Sequence, residues 1–157
     1  MAVNALVERI LARAGLIAPG NPWYPRRPVM ITQNDYHLRL FNGDVGVILP
    51  DPRGQGGVRA VFPGEGGILR RIHPLRLPPH ETVFAMSVHK SQGSEFERVL
   101  FILPDRDSPV LSRELVYTAV TRARRQLDIM GNESVFRAAL SRRIERTSGL
   151  KEVLKDL

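Results

Sequence analysis

The sequence predicts an α/β fold, a parallel sheet with crossover helices, carrying a small antiparallel β insertion. Three observations lead there. Helix-period and strand-period apolar patterns alternate through the second half of the chain. Val99–Leu103 (VLFIL) is a continuous apolar run, as in a parallel strand covered on both faces. Between Gly43 and Pro79, short β-prone runs (VGVIL, VRAVF, ILRRI, LRL) are separated by glycine and proline clusters (PDPRGQGG, PGEGG), the pattern of a small antiparallel barrel or meander. That region is too short to be stable alone. The expected organisation is therefore one domain made of residues 1–42 and 80–157, with 43–79 inserted in it.

The elements follow in order. Val3, Leu6, Val7, Ile10, Leu11 and Ala14 recur at helical spacing, and Gly15 ends that helix. A proline-rich loop follows (LIAPGNPWYPRRP), in which Trp23 and Tyr24 read as packing anchors rather than base-stacking platforms. Val29–Thr32 is a short buried strand, and QNDYHLRLF turns towards Asn42-Gly43-Asp44. After the insertion, Val83–Val88 and Val99–Leu103 read as strands. Ser112 caps a helix extending to about Arg125, with Glu114 in its first turn. Leu127–Met130 is a strand, Gly131-Asn132 a turn, and Glu133–Ser141 a helix, before a polar, partly helical tail.

The 157 residues include 23 Lys and Arg against 16 Asp and Glu, a net charge of +7. This excess suits an anionic partner, nucleic acid first, or simply a soluble basic surface. Arginine dominates it; only Lys90, Lys151 and Lys155 are lysines. The guanidinium fork suits phosphate. Arg53, Arg59, Arg70, Arg71 and Arg76 of the insertion are candidates for backbone contact or for a solvated surface. There is no cysteine, which fits a reducing cytoplasm and removes thiolate metal sites. His37, His73, His80 and His89 lack metal-ligand spacing, so no metal site is expected. No apolar run approaches the roughly 20 residues of a membrane span, and no membrane partner or export signal is expected.

Two segments carry chemistry. HKSQGSE (His89–Glu95) combines small residues (Ser91, Gly93, Ser94) for close backbone approach, donors (His89, Lys90, Gln92) and one carboxylate, Glu95. Hydroxyls, backbone N–H groups and Lys90 suit nucleic-acid phosphate, while a carboxylate suits a sugar hydroxyl. An ordinary polar loop is the competing reading. In VYTAVTRAR (Val116–Arg124), a helical period puts Leu115, Val116, Ala119, Val120 and Ala123 on one stripe. Arg122 and Arg124 then fall on opposite flanks, unable to reach one anion from one helix face, and a pair of structural salt bridges is the reading that spacing alone favours. No G-x-x-x-x-G-K-[ST] loop occurs in the chain, so any ATP phosphate cradle and magnesium carboxylate must come from elsewhere.

AMSVHKSQGSEF resembles helicase motif V, and ELVYTAVTRAR resembles helicase motif VI, of superfamily 1. Together with RPVMITQND, FNGDVG and the tail ERTSGL, they are most similar to the RecD branch, the alpha subunits of exodeoxyribonuclease V (RecBCD). The resemblance runs from about Asn4 to Leu150. It implies a second RecA-like (P-loop NTPase-type) motor domain, 2A, with an SH3-like β-barrel insertion, 2B. It implies that Arg122 is an arginine finger to the ATP γ-phosphate, and that Gly93 and Glu95 lie at the nucleotide, Glu95 at the ribose hydroxyl. Ser87 and His89, joined by Lys90 and Ser91, would lie on the single-stranded DNA side. The implied reaction is ATP hydrolysis with Mg2+, coupled to 5′-to-3′ translocation and unwinding in double-strand-break repair. The implied partners are single-stranded DNA, other subunits of a RecBCD-type complex and a first motor domain. That domain, with the Walker motifs and motif IV, would precede Met1, so the isolated chain is expected to be inactive. A non-enzymatic nucleic-acid-binding or subunit-docking module is the alternative.

Overall fold

The computed structural model describes residues 2–18, 20–52 and 57–144. Arg53 and most of the tail lie outside them. The chain forms two compact units, Met1–Ser87 and Val88–Leu157.

The first unit opens with α1 (Ala2–Arg13) and continues with β1 (Pro28–Ile31), β2 (Val45–Pro50), β3 (Val58–Pro63), β4 (Leu69–Ile72) and β5 (His80–Thr82). These strands form one antiparallel sheet in the order β4-β3-β2-β1-β5. The sheet thus takes β1 and β5 from either side of the 43–79 stretch. Alternation places Ala60 and Phe62 of β3 inward, where they join Val29, Ile31, Leu40 and Ile48 in a fully buried cluster. Gly46 is needed here, because a Cβ would stand 2.7 Å from the Phe62 ring.

Helix α1 carries the amphipathic stripe, yet buries none of its residues, and Leu6 and Ile10 stay exposed. Its polar side docks instead. The Asn4 amide donates to the Thr82 and Ala85 carbonyls at 2.9 Å and accepts from the Ala85 N–H at 2.7 Å. The Tyr24 hydroxyl donates to Glu8 at 2.7 Å, and burial together with that carboxylate pushes the Tyr24 pKa up. Tyr24 is a buried anchor, as its sequence context suggests, and Trp23 packs against Arg27 and His80. The expected strand Val83–Val88 does not form. The chain bends there, and Asn4 takes the Ala85 backbone groups that a neighbouring strand would have used.

The second unit holds β6 (Phe96–Ile102), α2 (Arg113–Val120), β7 (Ala123–Met130) and α3 (Glu133–Ser141). β6 and β7 pair in parallel, Val99 opposite Leu127 and Phe101 opposite Ile129, with α2 in the crossover. The fold is therefore mixed α/β with a parallel strand pair. Phe101, Leu103, Leu111, Val116, Ala119, Val135 and Ala139 form its core. Buried Ser112 caps α2 by accepting from the Leu115 N–H, with Glu114 in the first turn. Arg142 ties α3 to the loop before α2 through the Ser108 and Leu111 carbonyls and an ion pair to Asp107 at 2.6 Å.

Two local expectations are corrected. VLFIL is not covered on both faces: Phe101 and Leu103 point into the core, while Leu100 and Ile102, with Met130 beside them, are exposed among the described residues. The helix ends at Val120 rather than about Arg125, and β7 starts at Ala123 rather than Leu127. Alanine and arginine favour helix locally, but pairing along β6 overrides that preference.

Candidate functional site

The two motif segments meet where β6 and β7 begin. Their register brings Phe96 beside Ala123, and the Phe96 N–H donates to the Arg122 carbonyl at 2.8 Å. Residues just before β6 and just before β7 are thereby forced together, although 27 positions separate Glu95 from Arg122.

Upstream of β6, His89–Ser91 form one tight turn. The Ser91 hydroxyl donates to the Val88 carbonyl at 2.7 Å and is buried. The Ser94 N–H donates to the Ser91 carbonyl at 3.0 Å. Gly93 sits at φ +84 with open space where a side chain would be, so a ligand can reach the backbone there at no steric cost. His89, Lys90, Gln92 and Glu95 are exposed. Ser87 is exposed at the end of the first unit.

Arg122 follows Thr121, the residue that closes α2. Its Nη1 donates to the Ser94 carbonyl at 2.9 Å, its Nε to the Thr118 carbonyl at 3.2 Å, and its Nη2 to the Thr121 hydroxyl at 3.3 Å. Thr118 and Thr121 are supporting residues that the motif reading passed over. Their signal was a threonine four residues and one residue before the arginine, placed to fold its fork back over the helix end. Half-buried and held on three sides, Arg122 loses little freedom when it meets an anion.

Arg124 lies on β7, and its Nε donates to Glu95 at 2.8 Å. That bond, then the charge of Arg124, holds the Glu95 pKa below its ordinary value, and the charge of Arg122 adds to the lowering. The helical basis for separating the two arginines is gone, since α2 ends at Val120, yet they still contact different groups, Arg122 the Ser94 carbonyl and Arg124 the Glu95 carboxylate. With the helix ended at Val120, both act on the Ser94–Glu95 corner. The corner presents a guanidinium, an ionised carboxylate and an open glycine backbone, a set that fits the phosphate and sugar of a nucleotide.

Residues 82–130 match the family model of the UvrD-like helicase C-terminal domain. Over 148 residues the chain is 47% identical to the RecBCD enzyme subunit RecD of Mycobacterium tuberculosis, covering 94% of this chain and 25% of that protein. The chain is a relative of RecD. The RecD subunit of Haemophilus influenzae is 42% identical over 86% of this chain and 19% of its own length. The ATP-dependent RecD2 DNA helicase of Deinococcus radiodurans is 35% identical over 83% and 18%. The chain therefore spans about a quarter of the RecD length or less. A Bacteroides Pif1 helicase solved with ADP-AlF3 and single-stranded DNA aligns at a TM-score of 0.49 and 15% identity, over 84% of this chain and 33% of that one.

Proposed function

We propose that this chain is a motor region of an ATP-dependent 5′-to-3′ DNA helicase subunit of RecD type, acting in double-strand-break repair and recombination in the cytoplasm. The observation that carries this reading is the Ser94–Glu95–Arg122 corner, formed by the two motif segments of a RecD relative. In this reading residues 1–42 and 80–157 belong to a second RecA-like motor domain, and 43–79 to its SH3-like insertion.

Arg122 supplies charge to a transferring γ-phosphoryl group through the N–H groups that its Ser94, Thr118 and Thr121 partners leave over. Glu95 accepts from the ribose hydroxyls, and Gly93 lets the backbone approach. ATP supplies the phosphoryl group, and its Mg2+ is held by carboxylates outside this chain. Ser87, His89 and Lys90 face single-stranded DNA, with Ser91 acting through the turn that its hydroxyl braces. Because the turn and Arg122 share the Ser94 backbone, movement of one is felt by the other. The partners are a first motor domain, single-stranded DNA and RecBC-type subunits. The exposed apolar face of β6–β7 favours docking as a second reading.

The test is reconstitution. Residues 1–157 alone should hydrolyse no ATP, and co-expression with a Walker-bearing RecD N-terminal motor should restore DNA-stimulated hydrolysis. Robust hydrolysis by the chain alone, or none after reconstitution, would overturn the reading.

A further inference from the structure

A second aromatic and cationic surface lies in the first unit, on the turn between Asp35 and Leu40. Asp35 and Leu40 exchange backbone hydrogen bonds at 2.7 and 2.9 Å, closing a hairpin over Tyr36-His37-Leu38-Arg39. Tyr36 is 75% exposed, unusual for a tyrosine with a core close at hand. Phe41, partly exposed, meets it edge-on at 6.0 Å between ring centroids and an interplanar angle of 73°. The edge-on contact fixes the Tyr36 ring while leaving a ring face uncovered. Asn34 steadies it further, its amide reaching the Tyr36 hydroxyl at 3.5 Å and its oxygen taking the Asn42 N–H at 2.8 Å.

The turn is rigid by construction. The Arg70 guanidinium, on β4, donates to the carbonyls of Leu38, Arg39 and Pro63, fastening the hairpin to the end of β3 and the turn that leads into β4. These two segments wall a groove of about 810 Å3 lined by Tyr36, Arg39, Phe41, Ile68 and Arg70. Glu65 and Asp44 also line it, but Asp44 is turned to the Phe41 N–H and Arg70. Arg39 sits at φ +49, where glycine or asparagine costs less. Its side chain is exposed and makes no ion pair with any described residue. An arginine kept at a strained position, with its charge uncommitted beside an open aromatic face, fits an anionic ligand that carries π-faces.

We infer that Tyr36 and Phe41, with Arg39, form a base-stacking platform for single-stranded nucleic acid, separate from the His89–Glu95 segment. The inference rests on the nucleic-acid partner proposed above. The occupant follows from charge and shape: the uncovered face of the Tyr36 ring suits a base, and the Arg39 guanidinium, which pairs with no described residue, suits the backbone that joins bases. A protein partner would need the apolar groove to be filled and the Arg39 charge to be met by an acid.

The test uses the 157-residue chain with a labelled oligothymidylate and with an abasic sugar-phosphate strand of equal length, over a salt series. The chain should prefer the strand with bases. Tyr36→Ala should weaken oligothymidylate binding about 5- to 100-fold and leave abasic binding unchanged. Tyr36→Trp should retain the preference, which separates stacking from misfolding. Arg39→Gly should lower the slope of log K against log salt by about 0.7 for both strands. Equal binding of the two strands, or an unchanged preference in Tyr36→Ala, would overturn the platform while leaving the ATP-site reading standing. Loss of RecBC-type subunit binding in Tyr36→Ala without loss of DNA binding would assign the surface to protein docking and overturn it as well. Failure of the reconstituted ATPase, with this preference intact, would overturn only the motor reading.

Discussion

The two units solve the sheet problem differently. In Met1–Ser87 the antiparallel strands close over their own core, and Val29, Ile31, Leu40, Ile48 and Phe62 are cut off from solvent. In Val88–Leu157 a two-stranded parallel sheet is packed on one face only, by α2 and α3, while Leu100 and Met130 on the other are more than half exposed. Antiparallel sheets tolerate one wet face and parallel sheets rarely do. The candidate catalytic corner is in the unit with the less complete core, at the ends of strands whose surroundings are still open.

The sharpest way to break this comparison is by truncation. Phe62→Ala should cost about 3–5 kcal/mol, as for a large aromatic lost from a closed core, and Leu100→Ala should change stability by less than about 0.5 kcal/mol in the isolated chain. Denaturant melts of the two variants measure both. Equal losses would mean that the β6–β7 face is covered in solution. Ser112→Ala comes next. Removing a buried cap should cost about 1 kcal/mol and loosen the second unit selectively, seen as faster amide exchange in α2.

The smallest effect is set by pH. The Arg142 hydrogen bond holds Asp107 below its ordinary 3.8, so the Asp107 clamp contributes stability above that pH and loses it as pH falls through the lowered value. Melts across the acid range should show the second unit weakening first, and Arg142→Ala should abolish that difference. Glu95 behaves alike. A carboxyl NMR titration should place it below 4.5, and Arg124→Ala should move it back up.

How far these features were legible depends on whether they are local. Helix α2 begins where Ser112 announces it and α3 where the Gly131-Asn132 turn does, because caps and turns are properties of a few neighbouring residues. The meander strands β2, β3 and β4 follow from their glycine and proline punctuation, but the LRL run does not become a strand: Pro74–Arg76 form a tight 3-10 turn started by the proline and capped by His73. The end of α2 was not legible: nothing between Thr121 and Arg125 breaks a helix, and the strand there exists only because β6 lies alongside. The same non-local pairing brought Arg124 to Glu95, a contact that sequence spacing does not announce. Ser91 looked like an available hydroxyl, but a turn of three residues consumed it. The exposed Tyr36 was invisible in sequence, since a lone tyrosine in a polar turn carries no sign of which way it faces.

The central claim is that Arg122, braced by Ser94 and Thr118, is poised for a phosphoryl group supplied by ATP. The most direct measurement is single-turnover ATP hydrolysis by the reconstituted motor, comparing Arg122 with Arg122→Ala. The account predicts a fall of about 10³- to 10⁵-fold in the hydrolysis rate with little change in nucleotide affinity. Hydrolysis within a few-fold of the parent would contradict it and leave Arg122 as a brace for the loop alone.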